Sequence, residues 1–340
     1  MVAPKYSIII ATYNRIDELK ELFASVQDFD FQSDKFEMVI VDDGSTDGTE
    51  QFVKNLKTDY TVVYEKQQNQ GPGAARNLGM QTANGDYFLF IDSDCIIPAD
   101  YLSKIDNHLA KNDLDAFGGP DTFHPSFSPL LKAINYSMTS FIGTGGTRGA
   151  KKSVAKFYPR SFNMGIKRAV FDKIGGMGTL RHGQDMDFSA RIYEAGFKVG
   201  LIHNAFVYHK RRTSLRKFFK QIFNWGVARI NLSQMHENFL KPIHLAPAFC
   251  LLGVIFVFLL SLFTIFGKWL LLFTIFAMDA VALFAFIQSF LIYKNLKVAF
   301  LSIFTLYIQV FAYGAGTLSG IFQTLTGKKT AKGFTKNYYK

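Results

Sequence analysis

The sequence predicts an α/β domain built on a mostly parallel, doubly wound sheet, followed by apolar helices long enough to cross a membrane. Three observations predict it. Over the first 95 residues, short β-branched and apolar runs alternate with helical stripes, the pattern of parallel strands joined by right-handed crossovers. Each of those runs ends in polar, loop-forming residues, which a parallel sheet gathers along one edge. Beyond about residue 240, three long segments carry almost no charge.

The elements follow in order. Tyr6 to Ala11 reads as a buried strand, with Thr12-Tyr13-Asn14-Arg15 as the loop after it. Leu19, Leu22, Phe23 and Val26 form a helical stripe at spacings of three and four. Phe36 to Val41 is a second strand ending in Asp42-Asp43-Gly44-Ser45, and Thr46 to Leu56 a second helix. Thr61 to Tyr64 is a third strand, and Gly71-Pro72-Gly73-Ala74-Ala75-Arg76-Asn77 opens a third helix. Tyr87 to Ile91 is a fourth strand, followed at once by Asp92-Ser93-Asp94. Residues i and i+2 of an extended chain point the same way. Asp92 and Asp94 can therefore face one divalent cation, and a hard cation there can bridge a diphosphate. Taken alone, the pair also fits a solvated turn. Gly71-x-Gly73-x-x-Arg76 fails as a dinucleotide fingerprint, because Arg76 replaces the third Gly and the motif follows the third strand. A dehydrogenase reading loses its main support.

Four elements now stand in order: Ala11-Thr12-Tyr13-Asn14-Arg15, Val41-Asp42-Asp43-Gly44-Ser45-Thr46-Asp47, Gly71 to Asn77, and Asp92-Ser93-Asp94. Together they resemble the nucleotide-diphospho-sugar half of the family 2 glycosyltransferases, with the GT-A fold, over roughly the first 215 residues. The resemblance implies a nucleotide-sugar site formed by Thr12, Tyr13, Arg15, Asp43, Arg76, Asp92 and Ser93. In it Tyr13 packs on or beside the base and Asp43 accepts from the N3–H of a uracil. It also implies a divalent metal, Mn²⁺ or Mg²⁺, held by Asp94 with Asp92. Alternatives remain at this level: Tyr13 as a core aromatic, Asp42 and Asp47 as helix-capping groups, and Arg76 as a surface ion-pair partner.

Phe117-Gly118-Gly119-Pro120 reads as another strand end. Asp121 to Arg160 reads as a mobile loop, with Gly143, Gly145, Gly146 and Gly149 beside Arg148, Lys151 and Lys152. A loop of that length is often functional. Ser161 to Gly176 corresponds to a segment that shapes the donor-sugar and acceptor pocket in similar glycosyltransferases. Gly183-Gln184-Asp185-Met186-Asp187 then opens a helix. The family usually has Glu-Asp where this chain has Gln184-Asp185. Asp185 is implied as the general base that takes a proton from an acceptor hydroxyl, with inversion at the sugar. Asp185 and Asp187 would also favour a helix N-terminus simply as charges. His209 corresponds to a histidine that completes the metal shell in related enzymes. Gln221-Ile222-Phe223-Asn224-Trp225 resembles the Gln-x-x-Arg-Trp element of processive synthases. Asn224 cannot supply the guanidinium contact of that Arg, which argues against processivity.

Leu215, Phe218, Phe219, Ile222, Phe223, Val227 and Ile230 share a helical face from which Arg216, Lys217 and Lys220 are excluded. The stretch suits an interfacial amphipathic helix or a core-facing one equally. Leu245–Phe266 and Val298–Phe322 carry no charge, and Leu270–Tyr293 carries only Asp279. All three exceed the ~20 residues a hydrocarbon core requires. Gly314, Gly316 and Gly320 offer a small-residue packing face, and Asp279 is expected to face protein or a water-filled cavity. A cytoplasmic nucleotide-sugar domain and three spans would place Lys328, Lys329, Lys332, Lys336 and Lys340 outside, against the positive-inside rule. Either the third segment re-enters or the tail breaks the rule, and its length and apolarity favour a span.

The expected organisation is a catalytic domain over 1–214, an amphipathic linker over 215–242, a membrane region over 243–324 and a basic tail over 325–340. The net charge of +11 gathers at 210–220 and 328–340, which suits an anionic membrane surface rather than nucleic acid. Two cysteines form no disulfide framework or zinc spacing, and no signal peptide is expected at the N-terminus. The expected partners are a nucleoside-diphosphate sugar donor, a glycan or lipid-linked acceptor and membrane lipid. The expected location is the cell (inner or plasma) membrane, with the catalytic domain facing the cytoplasm. A polyprenyl-phosphate sugar transferase, a processive synthase and a non-catalytic membrane scaffold are the competing readings.

Overall fold

Alternation along each central strand divides the core into two layers. In the computed structural model, Ile8, Ile10, Met38, Ile40, Leu89 and Ile91 fill one layer, while Ile9, Val39, Val41, Phe88 and Phe90 fill the other. Strands buried on both faces read as continuous apolar runs, which is why they are legible in the sequence. The structure describes residues 3–144, 157–180, 182–210, 213–237 and 239–327. The expected glycines Gly145, Gly146 and Gly149, the basic residues Arg148, Lys151 and Lys152, and the lysine-rich tail from Lys328 lie outside the described residues.

The described residues divide into two compact units, one of residues 3–124, 157–180 and 182–210, the other of 125–144, 213–237 and 239–327. The first opens with β1 (Tyr6–Thr12), α1 (Ile16–Gln27), β2 (Phe36–Asp42), α2 (Thr49–Lys54), β3 (Thr61–Lys66), α3 (Pro72–Thr82) and β4 (Tyr87–Ile91). β5 (Cys95–Ile96), α4 (Tyr101–Leu109), β6 (Ala116–Gly118) and β7 (Asp121–Thr122) follow. α5 (Pro129–Thr139) and α6 (Phe141–Thr144) belong to the second unit. The first unit resumes with β8 (Asn163–Lys167), α7 (Arg168–Ile174), α8 (Gln184–Glu194), β9 (Val199–Leu201) and β10 (Val207–His209).

The main sheet has the order β3-β2-β1-β4-β8-β6-β9. β3, β2, β1 and β4 are parallel, and β8 runs antiparallel to both β4 and β6. Strand order reverses between β1 and β4, so the crevice beyond their C-terminal ends is where a ligand meets such a sheet. Thr12 ends β1, and Asp92 follows β4. A second sheet, β5-β10-β7, lies beside this edge in sequence terms, starting one residue after Asp94. Gly119 makes a close approach there: a Cβ on it would stand 1.8 Å from the Ala205 carbonyl oxygen.

The second unit continues with α9 (Leu215–Ser233), α10 (Pro242–Phe263), α11 (Ile265–Tyr293) and α12 (Leu296–Leu325). The last three are long and apolar enough to cross a membrane, and α12 is the most buried of them. The stretch expected as a mobile loop contains α5, whose residues Ala133 to Met138 are all buried. Ser128 caps it through the Leu131 N–H, and the Thr305 hydroxyl donates to the Ala133 carbonyl at 2.9 Å. α9 takes the core-facing alternative: Phe218 and Ile222 share a buried cluster with Ala312 of α12, while Arg216, Lys217 and Lys220 stay exposed. Asp279 is exposed on α11, away from the buried Gly267, Ala285 and Ser289.

Glycines fix the α9–α12 seam. A Cβ on Gly226 would lie 2.3 Å from the Tyr313 carbonyl oxygen, and one on Gly316 would lie 1.9 Å from that of Phe223. Main chain cannot yield as a side-chain tip can. Gly316→Ala is therefore expected to destabilise the detergent-solubilised protein by ~1–3 kcal/mol. Gly253→Ala is the control, since nothing lies within 4 Å of its would-be Cβ. Thermal unfolding of the two variants side by side checks this.

Candidate functional site

The loop after β1 is held in place before any ligand is considered. Asn14 sits in the left-handed region (φ 50°). Its N–H donates to Ser45 Oγ at 2.8 Å, and its side-chain oxygen accepts from the Thr46 N–H at 2.8 Å. Asp47 accepts from the Ile16 N–H at the start of α1 and from the Thr49 hydroxyl at the start of α2. That is the capping alternative for Asp47. Asp42 accepts from the Ser45 N–H and from the Tyr64 hydroxyl. Thr12 is buried with its Oγ1 lacking a hydrogen-bond partner, and Tyr13 is half-buried outside both core clusters.

Asp43 is fully buried and occupied. One of its oxygens accepts from the Gln67 amide at 2.6 Å and the Gln70 N–H at 2.8 Å, the other from the Gly71 N–H at 2.8 Å. Burial pushes its pKa up, and these hydrogen bonds offset only part of the rise. Three donors occupy its acceptor sites, two on Oδ1 and one on Oδ2, which leaves one lone-pair site of the carboxylate. Its present work is to shape the loop that leads into α3.

Two arginines meet the acidic pair. The Arg76 guanidinium, on the first turns of α3, donates to Asp92 at 2.6 Å. Arg15 donates to Asp94 at 2.8 Å and lies 3.7 Å from Glu18. Ser93 is buried between the two carboxylates. Arg76 is thus an ion-pair partner, but at the crevice and buried rather than on the open surface.

His209 joins the same cluster. β10 pairs with β5 so that His209 lies opposite Cys95. Its Nε2 is 3.2 Å from Asp94 and 4.0 Å from Asp92, and its Nδ1 is 3.6 Å from Asp121. Burial alone would lower its pKa, but the Asp94 and Asp121 charges outweigh it and push the value up to about 9. Asp94, His209 and Cys95 offer ligand atoms within 4.8 Å of one another. Burial pushes the Cys95 thiol up. Carboxylate oxygen with imidazole nitrogen suits a borderline-hard divalent ion such as Mn²⁺, while a pure oxygen set would suit Mg²⁺ better. The residues present fit a divalent metal.

Asp185 opens α8, and its partner across the turn is Arg160, 3.8 Å away. Gln184 donates to the Gly178 carbonyl, and its amide packs over Gly73, where a Cβ would come within 2.5 Å of it. α8 and α3 therefore meet at their first turns, which brings the Asp185 segment toward the helix that carries Arg76. Asp187, two residues on, does something different. It is buried and accepts from Arg191 at 3.1 Å, and Arg191 also donates to the Ile174 and Gly176 carbonyls. Asp187→Ala is expected to cost about 2 kcal/mol by stranding that arginine. Asp185→Ala should stay within ~0.5 kcal/mol of the parent, as a partly exposed group with one loose ion pair. Denaturant unfolding of both variants checks the contrast.

Sequence reasoning missed Asp121 and Arg160. A carboxylate directly after Gly118-Gly119-Pro120 was the available signal for Asp121. Nothing local marks Arg160.

Comparison with known proteins agrees with this architecture. The description "Glycosyl transferase family 2" fits residues 7–175. The glycosyltransferase AglE of Haloferax volcanii is 27% identical over 248 residues, 68% of this chain and 78% of that protein. The poly(ribitol-phosphate) beta-N-acetylglucosaminyltransferase TarS of Staphylococcus aureus is 39% identical over 102 residues, 29% of this chain but only 17% of that protein. The mannosyltransferase PcManGT from Pyrobaculum calidifontis, solved with GDP-Man and Mn²⁺, is similar in fold. Its TM-score is 0.57 at 18% identity, over 97% of this chain and 89% of that one. The sheet, its switch point and the acidic pair beyond β4 are those of the GT-A fold, and residues 7–175 of this chain belong to glycosyl transferase family 2.

Proposed function

We propose that the protein is a membrane-anchored, inverting glycosyltransferase. It moves a sugar from a nucleoside-diphosphate sugar, UDP-linked in the first instance, to a hydroxyl of a lipid-linked or cell-envelope glycan. The work takes place at the cytoplasmic face of the cell membrane. The observation that carries this is the convergence of Arg15, Asp94 and His209 with the Arg76–Asp92 pair beyond β1 and β4. Cations and carboxylates alternate there as a metal–diphosphate site requires. AglE and TarS are named as glycosyltransferases, and PcManGT holds a nucleotide sugar together with Mn²⁺. The three apolar helices support the anchor.

In this reading Thr12, Tyr13 and Arg15 line the nucleoside side, with Asp43 holding the wall of that pocket. Arg76, Asp92 and Ser93 serve the ribose and diphosphate side. Asp94 and His209, with Asp92 at the edge, hold a divalent cation. Such a cation supplies neutralising charge to the departing diphosphate. The acceptor oxygen attacks the anomeric carbon as the bond to the diphosphate breaks, and the hydroxyl proton passes to the Asp185 carboxylate. A single displacement inverts the anomeric centre.

The test is nucleotide release by the purified, detergent-solubilised protein from UDP-, GDP- and dTDP-sugars with Mn²⁺, with and without chelator. Chelator-sensitive release from one donor is the expected result. No release and no nucleotide binding by calorimetry would favour a non-catalytic scaffold. Binding without release would mean that chemistry waits for the acceptor, and membrane lipid extracts would then be added.

A further inference from the structure

We propose that Asp121 is a positioning residue that acts through His209, fixing the imidazole so that Nε2, and not Nδ1, faces the divalent-cation site. The inference rests on the reading of Asp94 and His209 as ligands, and names a residue outside the acidic pair on which that site depends.

Three observations lead to it. First, the strands place the two residues. β10 pairs in parallel with β7, setting Val207 beside Asp121 and Tyr208 beside Thr122. Val207 and His209 lie on the same side of their strand, so Asp121 is one diagonal step from the imidazole. Second, the ring has a sense of direction. Nε2 lies 3.2 Å from Asp94, while Nδ1 is buried with no partner inside hydrogen-bond distance and Asp121 Oδ2 3.6 Å away. The Phe162 ring packs on the imidazole with centroids 5.1 Å apart and planes 32° apart. Third, the Asp121 side chain is itself completely buried. A carboxylate is not held out of water without compensating charge or donors, and His209 Nδ1, 3.6 Å from its Oδ2, is one group placed to supply them.

A ligating imidazole must be neutral, with one nitrogen on the metal and the other bearing hydrogen. Metal-bound histidines generally donate that second N–H to a carboxylate, carbonyl or water, which fixes the tautomer and raises the basicity of the ligating nitrogen. Asp121 stands where that acceptor is required. A shift of a few tenths of an ångström at Nδ1 converts the present separation into a hydrogen bond.

The test measures Mn²⁺ affinity directly, by titration monitored with electron paramagnetic resonance, on the full-length solubilised protein without substrate. Four forms are compared: parent, Asp121→Asn, His209→Ala and the double variant. Asp121→Asn is expected to weaken Mn²⁺ about tenfold. In the His209→Ala background the same change is expected to have no further effect. Nitrogen chemical shifts of His209 in selectively labelled protein give a second readout: the Nδ1–H tautomer in the parent and a mixture in Asp121→Asn. Equal weakening by Asp121→Asn with and without His209 would mean that the residue supports the fold, and would overturn the inference. So would an unchanged affinity in Asp121→Asn alongside a weakened His209→Ala. Parent-like affinity in His209→Ala would remove the histidine from the site, and the inference would fall together with that part of the functional reading.

Discussion

Asp94→Ala is expected to lower sugar transfer by on the order of a thousandfold while leaving the fold intact, since a metal-held diphosphate contributes several kcal/mol and each 1.4 kcal/mol is a factor of ten. Asp94 is where the lines of the site cross: Arg15 contacts one oxygen and His209 Nε2 approaches the other. Removing it would delete a proposed metal ligand and take from Arg15 its carboxylate partner. Activity should therefore fall with Mn²⁺ affinity, and excess Mn²⁺ should not restore it. Asp92→Ala should be milder, because Asp92 is the more exposed of the two and its Arg76 partner is fixed by α3. The measurement is initial rate across a Mn²⁺ titration for both variants. Equal rates for Asp94→Ala and parent would remove Asp94 from the chemistry.

Asp185→Asn is the second large effect, and the one that separates acceptor classes. If the acceptor is a hydroxyl, loss of the base is expected to cost about a hundred- to ten-thousandfold in transfer, with donor binding unchanged. If the acceptor is a polyprenyl phosphate, its oxygen is already anionic and the same variant should retain most of its rate. Asn keeps the volume and one acceptor oxygen, so the change reads proton transfer rather than packing. Donor affinity by calorimetry, measured beside the rate, keeps the two effects apart. Arg160, 3.8 Å from Asp185, gives a companion variant: Arg160→Gln should lower the rate of transfer without touching Mn²⁺ affinity.

What could be read from residues alone follows the range of the interactions involved. The β1–β4 strands, the α3 start and the Asp92–Asp94 pair are local patterns, and the sheet merely collects them. The equivalence of Asp185 and Asp187 could not be resolved in one dimension: both open α8, yet one is partly open and the other is locked onto Arg191. Asp43 reads as a ligand-facing carboxylate from its loop alone, and its partners Gln67, Gln70 and Gly71 could not be read there, because they lie more than twenty residues away. α5 was hidden for a different reason. Its flanks are rich in Phe, Gly and Ser, and its buried face exists only because helices far along the chain cover it. The two readings of α9 likewise depended on the glycines of α12, which no local periodicity reveals.

The placement of α5 has a consequence for how this protein is made. Ala133 and its hydrogen-bond partner Thr305 are 172 residues apart in sequence. A ribosome adding roughly 5–20 residues per second needs about ten to thirty seconds to cover that distance. Over that interval the cover of Ala133 to Met138 arrives in stages, first Phe218 and Ile222 of α9, then Ala285 and Gln288 of α11, and last α12. The burial of α5 is therefore completed only when α12 has been made. A chain released before that point carries every residue of the site together with a helix whose apolar face is incompletely covered, which makes it a substrate for chaperones and proteases.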